Sequence, residues 1–577
     1  MKKNIRRAIS LLAAVVMIIV LTAACQTPDD TQGNQSTTSS SPSPSAPAQS
    51  QAPPTFGNEP TKDPFGKYDP PIDVTVAHVT IHSDVNYPPG DTPENNIWTR
   101  TYAEELGINV DVVLATQAED AQQTINLMIA TGDLPDIMSV TKAQFQEMYE
   151  AGLLYDLTEV FEEYATPFLR EQLYYDGGYG MASATRDGRL YAVPSFLDPV
   201  DNAFMLWVRE DWRKELGLPE PKTIEDFYAI AEGFTNAKGV PGFTVTEDLW
   251  AHLHGFFNAY GAYPGHNQSQ ATILQWKKDP NGDGLVLGAT LPEVKTALLE
   301  LQRMYANGWI DRDYALANYD TLTADFANGR VGMVYGLWWY PIWPMDASKR
   351  TDPNAEWKAY PMPSALNAVG ANVQLDALMM RCYNVVTKNC KNPEAAIKMA
   401  NLTLEKCFGE NADPERFHGG PTPDVGSAMY KFSVFYVEIG HKNILKFRAI
   451  NEALESGNIN DLTPDQLMSY NNVLKWTQNG DVDHWGNYMA WGIGGAFDIY
   501  DYYATHGLFS PDELWGTIES RELTDYGPIW WQKLYEATND VIMGADISVW
   551  DDFVDYFYQT GGREYTRQVN EWYAVNK

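Results

Sequence analysis

Two adjacent tryptophans, Trp338 and Trp339, stand at the end of the apolar stretch GMVYGLWW, and Pro341 follows shortly after them. The apolar run predicts a buried strand, and Pro341 ends any regular element. Flat indole faces suit the apolar faces of sugar rings, because C–H groups pack on the π surface while hydroxyl groups point sideways. We interpret the pair as a stacking platform; the alternative is burial in a core, since tryptophan is highly buried on average.

One acidic segment matches the first half of a calcium loop. It places Asp279, Asn281 and Asp283 at alternate positions, followed by Gly284. The loop also needs an acid at its twelfth position, which here is Thr290. Because Asn-Gly and Asp-Gly are strong turn formers, we expect the turn of a β-hairpin, with a calcium site as the alternative.

The other residue types that carry chemistry do not form a known catalytic pattern. His252 and His254 are two residues apart, not at the i, i+4 spacing of a helical zinc site, so we expect them in a cleft or on the surface. The sequence has no GxSxG motif, no P-loop and no glycine-rich dinucleotide turn. A glycan hydrolase would need two carboxylates facing each other across a cleft, which 76 acidic residues neither show nor exclude. We expect no enzyme, no cofactor and no metal.

The composition, with 44% apolar and 20% charged residues, is that of a soluble protein. A chain of 577 residues is too long to fold around a single compact core, so two lobes are expected. The net charge of −35 repels nucleic acid and argues against nucleic-acid binding. Apart from Cys25, the cysteines are Cys382, Cys390 and Cys407, and an odd number argues against a full disulfide framework. We expect buried thiols, with a Cys390–Cys407 bridge as the alternative.

Residues 1–25 have the pattern of a targeting segment, with a basic start and an apolar stretch too short to span a membrane. The tetrapeptide ending at Cys25 resembles a bacterial lipobox, in which the cysteine is lipidated. The usual leucine stands one position early, at Leu21, so a secretory cut after Ala24 is the alternative. Residues 26–70 are rich in Ser, Pro and Gln and lack apolar periodicity, which predicts a disordered tether.

Short apolar runs alternate with helical patterns from residue 72 onward, which is typical of an α/β fold. Thr223 and Asp226 form a predicted capping box, and Gly132 a predicted helix C-cap. Residues 409–530 read as loop-rich and aromatic.

The order of several motifs resembles the extracellular solute-binding lipoproteins of carbohydrate ABC importers, in the large Gram-positive branch of the maltose-binding-like superfamily. The motifs are GDLPDIM, LWVREDW, LGLPEPKTIEDF, GMVYGLWWYP and the closing IMGA…WDDFV…GG…VNEWY. The resemblance implies a type II periplasmic-binding-protein fold with ligand between two lobes. The N-lobe would hold residues 72–198 and 373–480, and the C-lobe residues 199–372 and 481–577.

The function that the resemblance implies is capture of a sugar or oligosaccharide for an ABC importer. The expected partners are that ligand, the permease subunits and, through the lipid on Cys25, the extracellular face of the cell membrane. We expect a monomer. The alternatives are a surface glycan sensor or adhesin without transport, and a glycan-active hydrolase.

The expected ligand contacts lie at strand ends, at a crossover and in aromatic segments that should reach the cleft. The resemblance supports all of them except Trp485, which has no family motif behind it. The ten residues are Trp338, Trp339, Trp250, Trp98, Trp485, Asp84, Asn86, Thr141, Lys142 and Asp198.

Overall fold

The computed structural model describes residues 57, 59–80, 87–265, 274–376, 379–418, 429–514, 518 and 520–576, without the side chains of 78–80, 115–120 and 576. All the described residues belong to one compact unit. Within it the described residues form two separate hydrophobic cores. We call the parts of the chain around the two cores the first and second lobes.

The strands are short and belong to five sheets among the described residues. In chain order they are β1 (Ile72–Thr80), β2 (Ile108–Gln117), β3 (Ile137–Val140), β4 (Thr185–Arg186), β5 (Arg189–Leu190), β6 (Ala192–Leu197), β7 (Met205–Arg209), β8 (Trp276–Lys278), β9 (Leu285–Leu287), β10 (Met333–Gly336), β11 (Trp357–Tyr360), β12 (Val373–Leu375), β13 (Met379–Val386) and β14 (Phe509–Pro511).

Helices cover the faces of these sheets and join them. In chain order the α-helices are α1 (Ile97–Thr101), α2 (Ala118–Thr131), α3 (Lys142–Glu150), α4 (Thr158–Tyr164), α5 (Pro167–Tyr174), α6 (Tyr179–Ser183), α7 (Glu210–Glu215), α8 (Ile224–Lys238), α9 (Leu249–Ala259), α10 (Glu293–Ala306), α11 (Tyr319–Ala327), α12 (Asp346–Thr351), α13 (Glu394–Phe408), α14 (Pro414–Phe417), α15 (Lys442–Ser456), α16 (Pro464–Asn479), α17 (Trp485–Trp491), α18 (Ala496–Thr505), α19 (Arg521–Ile542), α20 (Ser548–Phe557) and α21 (Arg563–Asn576).

The first lobe is built on a five-stranded sheet in the order β2-β1-β3-β13-β6. β1 pairs in parallel with β2 and β3, whereas β13 is antiparallel to both β3 and β6. β6 therefore runs in the same direction as β1, β2 and β3. All four residues of β3 are buried, as expected for a strand with both faces covered.

Residues 59–71 pack against the first lobe, although the sequence assigned most of them to the tether. The backbone N–H of Lys62 donates to the carbonyl of Glu163 (3.0 Å), and that of Tyr68 donates to Leu106 (2.9 Å). The Lys398 ammonium donates to the carbonyl of Gly66 (2.6 Å). Composition could not predict these long-range bonds, because it shows only that the segment is rich in proline and polar residues. The remainder of the predicted tether and the leader with Cys25 lie outside the described residues.

The second lobe holds an antiparallel sheet in the order β10-β7-β11. β10 confirms the predicted strand before the tryptophan pair. A Cβ atom at Gly332, just before β10, would stand 2.5 Å from the ring of Phe234, so only glycine allows this packing. β8 and β9 pair antiparallel around the turn at Asp279–Gly284, which confirms the predicted hairpin.

The prediction that residues 409–530 are loop-rich is wrong. This region contains α15, α16, α17, α18 and the start of α19. Thr463 and Gln466 form a capping box at the start of α16, with Pro464 in its first turn. The buried aromatic residues up to Tyr436 pack into the first core, and those from Phe447 onward pack into the second.

The described chain passes three times between the two cores, within residues 197–203, 375–383 and 437–444. The sequence placed the third crossing at residue 480. The buried residues of α15 and α16 lie in the second core, so these helices pack with the second lobe.

Candidate ligand-binding site

The carboxyl ends of β1, β3 and β6 lie at one edge of the first-lobe sheet. Met379, at the start of β13, faces Leu197 at the end of β6, so the first two crossings both meet the sheet at this edge. Ligands of open α/β sheets bind outside the carboxyl ends of the strands. We therefore take this edge as the candidate site.

A cavity of about 200 Å³ opens at this edge. Its walls come from α2, from residues 139–141 at the end of β3, from Ser195 in β6, from β13 and from residues 430–436. Sequence reasoning did not single out β13 or 430–436, because neither carries a recognisable binding motif.

Hydrogen bonds between strands fix the polar residues of the cavity. The Ser139 hydroxyl donates to Asn384 Oδ1 (2.8 Å), and Asn384 Nδ2 donates to the carbonyl of Val193 (3.3 Å). The Ser195 hydroxyl donates to the carbonyl of Tyr436 (2.8 Å). Ser139, Asn384 and Ser195 are all buried, so this part of the cavity is pre-formed.

Thr141 lines the cavity and also begins helix α3. Its hydroxyl accepts from the backbone N–H of Gln144 (3.3 Å), and Gln144 Oε1 accepts from the N–H of Thr141 (2.9 Å). This capping box fixes the Thr141 side chain at the sheet edge. Lys142, the next residue, is exposed and is not among the described residues that line the cavity.

Arg381 is the main cationic group in the cavity wall. Its guanidinium carbon lies 5.3 Å from the ring centroid of Tyr436 and 6.0 Å from that of Tyr430. The two tyrosine rings are 4.4 Å apart, and His418 stacks on Tyr430 at 4.9 Å. Burial lowers the pKa of His418 to about 3, so this imidazole is neutral at physiological pH.

Trp338 and Trp339 lie on the second lobe, and both are only partly exposed. Trp338 packs at 5.5 Å from Trp491 and 5.3 Å from Phe497 (ring centroids). Trp339 is nearly parallel to Trp343, with centroids 5.9 Å apart and an angle of 15°. Each ring thus has neighbours that hold it in one orientation.

Trp343 extends the aromatic surface, and sequence reasoning missed it. Its side chain is 45% exposed and stacks on Tyr319 at 5.4 Å. Trp339, Trp343 and Tyr319 therefore form a ladder of stacked rings, which we call the aromatic ladder. The four-residue spacing between the two tryptophans was the available signal, and the Trp343 N–H donates to the Trp339 carbonyl (3.1 Å).

The other three candidate tryptophans are core residues, and a ligand-stacking role does not fit their burial. Trp98 is 0% exposed, and its indole N–H donates to the carbonyl of Met429 (2.7 Å). Trp250 and Trp485 are each 3% exposed, and Trp250 packs 6.2 Å from Phe257. Their indole rings fill space in the two hydrophobic cores.

His252 and His254 are also buried, which corrects the expectation of cleft or surface positions. The Nε2 atom of His252 lies 3.0 Å from the Tyr340 hydroxyl, which is 3.5 Å from that of Tyr319. Burial lowers the pKa of His252 to about 4, so it is neutral. His252 supports the aromatic ladder from beneath.

Asp198 joins two of the crossings instead of facing a cavity. It is 3% exposed and accepts from the backbone N–H of His441 (2.7 Å), while the His441 imidazole lies 3.0 Å away. Asp201, four residues before β7, accepts from Asn443 Nδ2 (2.7 Å). The first and third crossings are thus tied together by buried polar groups.

Two groups that connect the first and third crossings, Asp201 and His441, have shifted pKa values. Burial, and then the charge of Asp198, raise the pKa of Asp201 to about 8, although Lys442 opposes the shift. The hydrogen bond to Asp198 raises the pKa of His441. Both shifts favour the protonated forms in the folded protein.

Asp84 and Asn86 lie outside the described residues, as does Cys25. Cys382, Cys390 and Cys407 are free thiols, as predicted. Across the described part of the chain, no group of three His, Cys, Asp or Glu side chains could hold a metal ion. No described helix is both long and apolar enough to cross a membrane.

A family model for the bacterial extracellular solute-binding proteins matches residues 90–405, more than half of the chain. The chain belongs to this family. Among curated proteins it is 20% identical over 218 residues to the polygalacturonan/rhamnogalacturonan-binding protein YtcQ of Bacillus subtilis, covering 37% of this chain and 41% of that protein. It is 27% identical over 172 residues to the fructooligosaccharide ABC transporter substrate-binding protein FusA of Streptococcus pneumoniae, covering 28% and 31%. The match therefore spans less than half of these relatives.

Solved structures resemble the chain over most of its length. The alginate-binding protein AlgQ2 without calcium ion has a TM-score of 0.58 at 17% identity, covering 89% of this chain and 100% of that one. Streptococcus pneumoniae FusA in complex with kestose has a TM-score of 0.60 at 16% identity, covering 88% and 100%. The family and these structures confirm the predicted type II periplasmic-binding-protein fold.

Proposed function

We propose that the protein is an extracellular substrate-binding protein that captures a sugar or oligosaccharide and delivers it to an ABC importer. Family membership and the names of the curated relatives support this function. The observation that carries it is the presence of both a pre-formed cavity with fixed polar side chains on the first lobe and a partly exposed aromatic ladder on the second. Hydroxyl groups need the former, and the apolar faces of sugar rings need the latter.

The proposed mechanism is closure of the two lobes about the three crossings. A ligand favours the closed form only through contacts that it makes with both lobes at once. The first-lobe contacts would come from Thr141 and the cavity, and the second-lobe contacts from Trp338, Trp339 and Trp343. Asp84 and Asn86 remain proposed contacts, because the chain leaves β1 at the same sheet edge.

We also propose that lipid on Cys25 anchors the protein to the extracellular face of the membrane, and that the closed monomer is recognised by the permease subunits. The protein would bind its sugar without chemical change. The lipobox-like sequence at Cys25, together with the family, supports the anchor.

A thermal-shift screen tests the binding function. Residues 26–577 would be heated with a panel of mono- and oligosaccharides, and with amino acids as controls. A ligand at one hundred times its Kd adds about 2.7 kcal/mol of stability, which for a chain of this length is a shift of about 2 °C. Shifts with saccharides alone would support the proposal, whereas shifts with amino acids and none with saccharides would overturn it.

A further inference from the structure

The described lining of the cavity at the sheet edge contains basic but no acidic residues, whereas the protein as a whole is acidic. The chain has 76 acidic and 41 basic residues. The described residues that line the cavity at the sheet edge include Arg381 and Lys431 but no carboxylate. In a chain with almost twice as many acidic as basic residues, a cavity whose described lining holds an arginine and no carboxylate departs from the overall composition.

Two other cavities of the described chain contain acidic residues, as the overall composition leads one to expect. One lies on the first lobe near Tyr155 and has four acidic side chains beside its four basic ones. The other lies on the second lobe and has Asp311, Asp313 and Asp325 beside Arg330. Acidic side chains stand beside the basic ones in both of those cavities, whereas the described lining of the cavity with Arg381 contains no carboxylate.

Arg381 is held ready for an anion. It makes neither a hydrogen bond nor an ion pair with any described residue, and its guanidinium lies over the rings of Tyr430 and Tyr436. Stacking on a ring engages the face of a guanidinium and leaves its in-plane N–H groups available. Those N–H groups form a fork that matches a carboxylate in a bidentate arrangement.

We propose that this cavity binds the carboxylate of an acidic sugar, so that the ligand is a uronate-containing oligosaccharide. The inference rests on the proposed sugar-binding function. Arg381 makes the bidentate contact. The polar residues Ser139 and Thr141 lie at the same cavity and suit the ring hydroxyls.

Calorimetry with charge-matched sugars tests this specificity. The protein would be titrated with trisaccharides of galacturonate, glucuronate, mannuronate and guluronate, with the methyl ester of each, and with neutral hexose trisaccharides. We expect at least one uronate trisaccharide to bind about tenfold to a hundredfold more tightly than its methyl ester, because esterification removes the charge and keeps the sugar.

Arg381→Gln should remove that preference by weakening uronate binding while leaving the affinity for the methyl ester unchanged. Arg381→Lys should restore part of it. The control is Arg312→Gln, which removes an equally stacked but exposed arginine from the second lobe and should leave both affinities unchanged. Melting curves of each variant show whether it is folded.

The outcomes separate the two proposals. Binding of neutral trisaccharides with no preference for any uronate over its ester would overturn the acidic-sugar inference and leave the sugar-binding function standing. A uronate preference that survives Arg381→Gln would also overturn the assignment to this cavity. Absence of binding by every saccharide would overturn both.

Discussion

At the scale of single residues, exposure separates the tryptophans that can serve a ligand from those that hold the fold. Trp343 is 45% exposed, whereas Trp98 is 0% exposed with its indole N–H bonded to a carbonyl. Sequence alone pointed to the aromatic segment around Trp338 but could not rank the tryptophans, because an indole suits a core and a sugar equally well.

Trp343→Ala should weaken saccharide binding by about 2–4 kcal/mol, the range of an aromatic hot spot. The unliganded melting temperature should change little, because nearly half of the side chain is already in water. Calorimetry and thermal melts measure the two effects. Trp98→Ala is the matched control and should lose about 3–5 kcal/mol of stability. Unchanged affinity in the Trp343 variant would remove the aromatic ladder from the site.

Asp201→Asn should gain stability relative to the wild type as the pH rises from 5 to 8, and the difference should level off above pH 8. The folded-state pKa of Asp201 is raised to about 8, so the stability that its protonated form contributes is lost as the pH rises through that value. An asparagine cannot ionise and keeps a carbonyl for Asn443. The difference should grow by at most about 1.4 kcal/mol per pH unit.

Urea unfolding of both proteins at four pH values measures this effect. Asp133→Asn, at an exposed position, is the control and should show no such trend. If the stability difference between Asp201→Asn and the wild type stayed the same at every pH, the raised pKa of Asp201 in the folded protein would be contradicted.

At the scale of elements, helix α17 supports the loop that carries the aromatic ladder. Gly486, in its first turn, lies so close that a Cβ atom would stand 2.6 Å from the Pro341 carbonyl oxygen and 2.8 Å from Ile342 Cα. Both contacts are backbone atoms that cannot rotate away. The position of Trp339 and Trp343 thus depends on a glycine more than a hundred residues later in the chain.

Gly486→Ala should therefore cost about 1–3 kcal/mol of stability and also weaken saccharide binding, because the loop must shift. Unfolding curves and calorimetry report the two losses. Gly527→Ala in α19 is the control: its nearest neighbour is the flexible Leu523 side chain at 3.1 Å, and alanine favours a helix. An affinity loss as large in the control would show that the effect is not local.

Helix ends and turns with a complete local sequence motif were predicted correctly. The capping box at Thr223, the helix C-cap at Gly132 and the Asp279–Gly284 hairpin are all present in the structure. The same type of capping box at Thr463 was overlooked, because the whole of residues 409–530 was taken as loop-rich. The cavity could not be predicted, since β13 reaches β3 and β6 only through pairing across some two hundred residues.

At the scale of the whole molecule, two cores joined by three crossings suit a protein that opens and closes around its ligand. The order of motifs predicted the fold class, because those motifs recur together in the family. It could not place the third crossing, since α15 and α16 belong to the second core only through tertiary packing.

Cys25→Ala should release the protein from the membrane into the medium, because the lipid would have no attachment point. Cell fractionation with labelled fatty acid checks this, with the wild type as the membrane-bound and labelled control. A variant that stays in the membrane fraction and still carries the label would show that Cys25 is not the anchor.

The measurement that most directly tests the central claim is calorimetric titration of the protein with oligosaccharides, followed by mass spectrometry of the recovered sugar. We predict one saccharide bound per protein, with its mass and linkage unchanged after prolonged incubation. A saccharide that is cleaved would contradict the binding function in favour of catalysis. Failure of every saccharide to bind would contradict the claim that the cavity and the aromatic ladder form a sugar site.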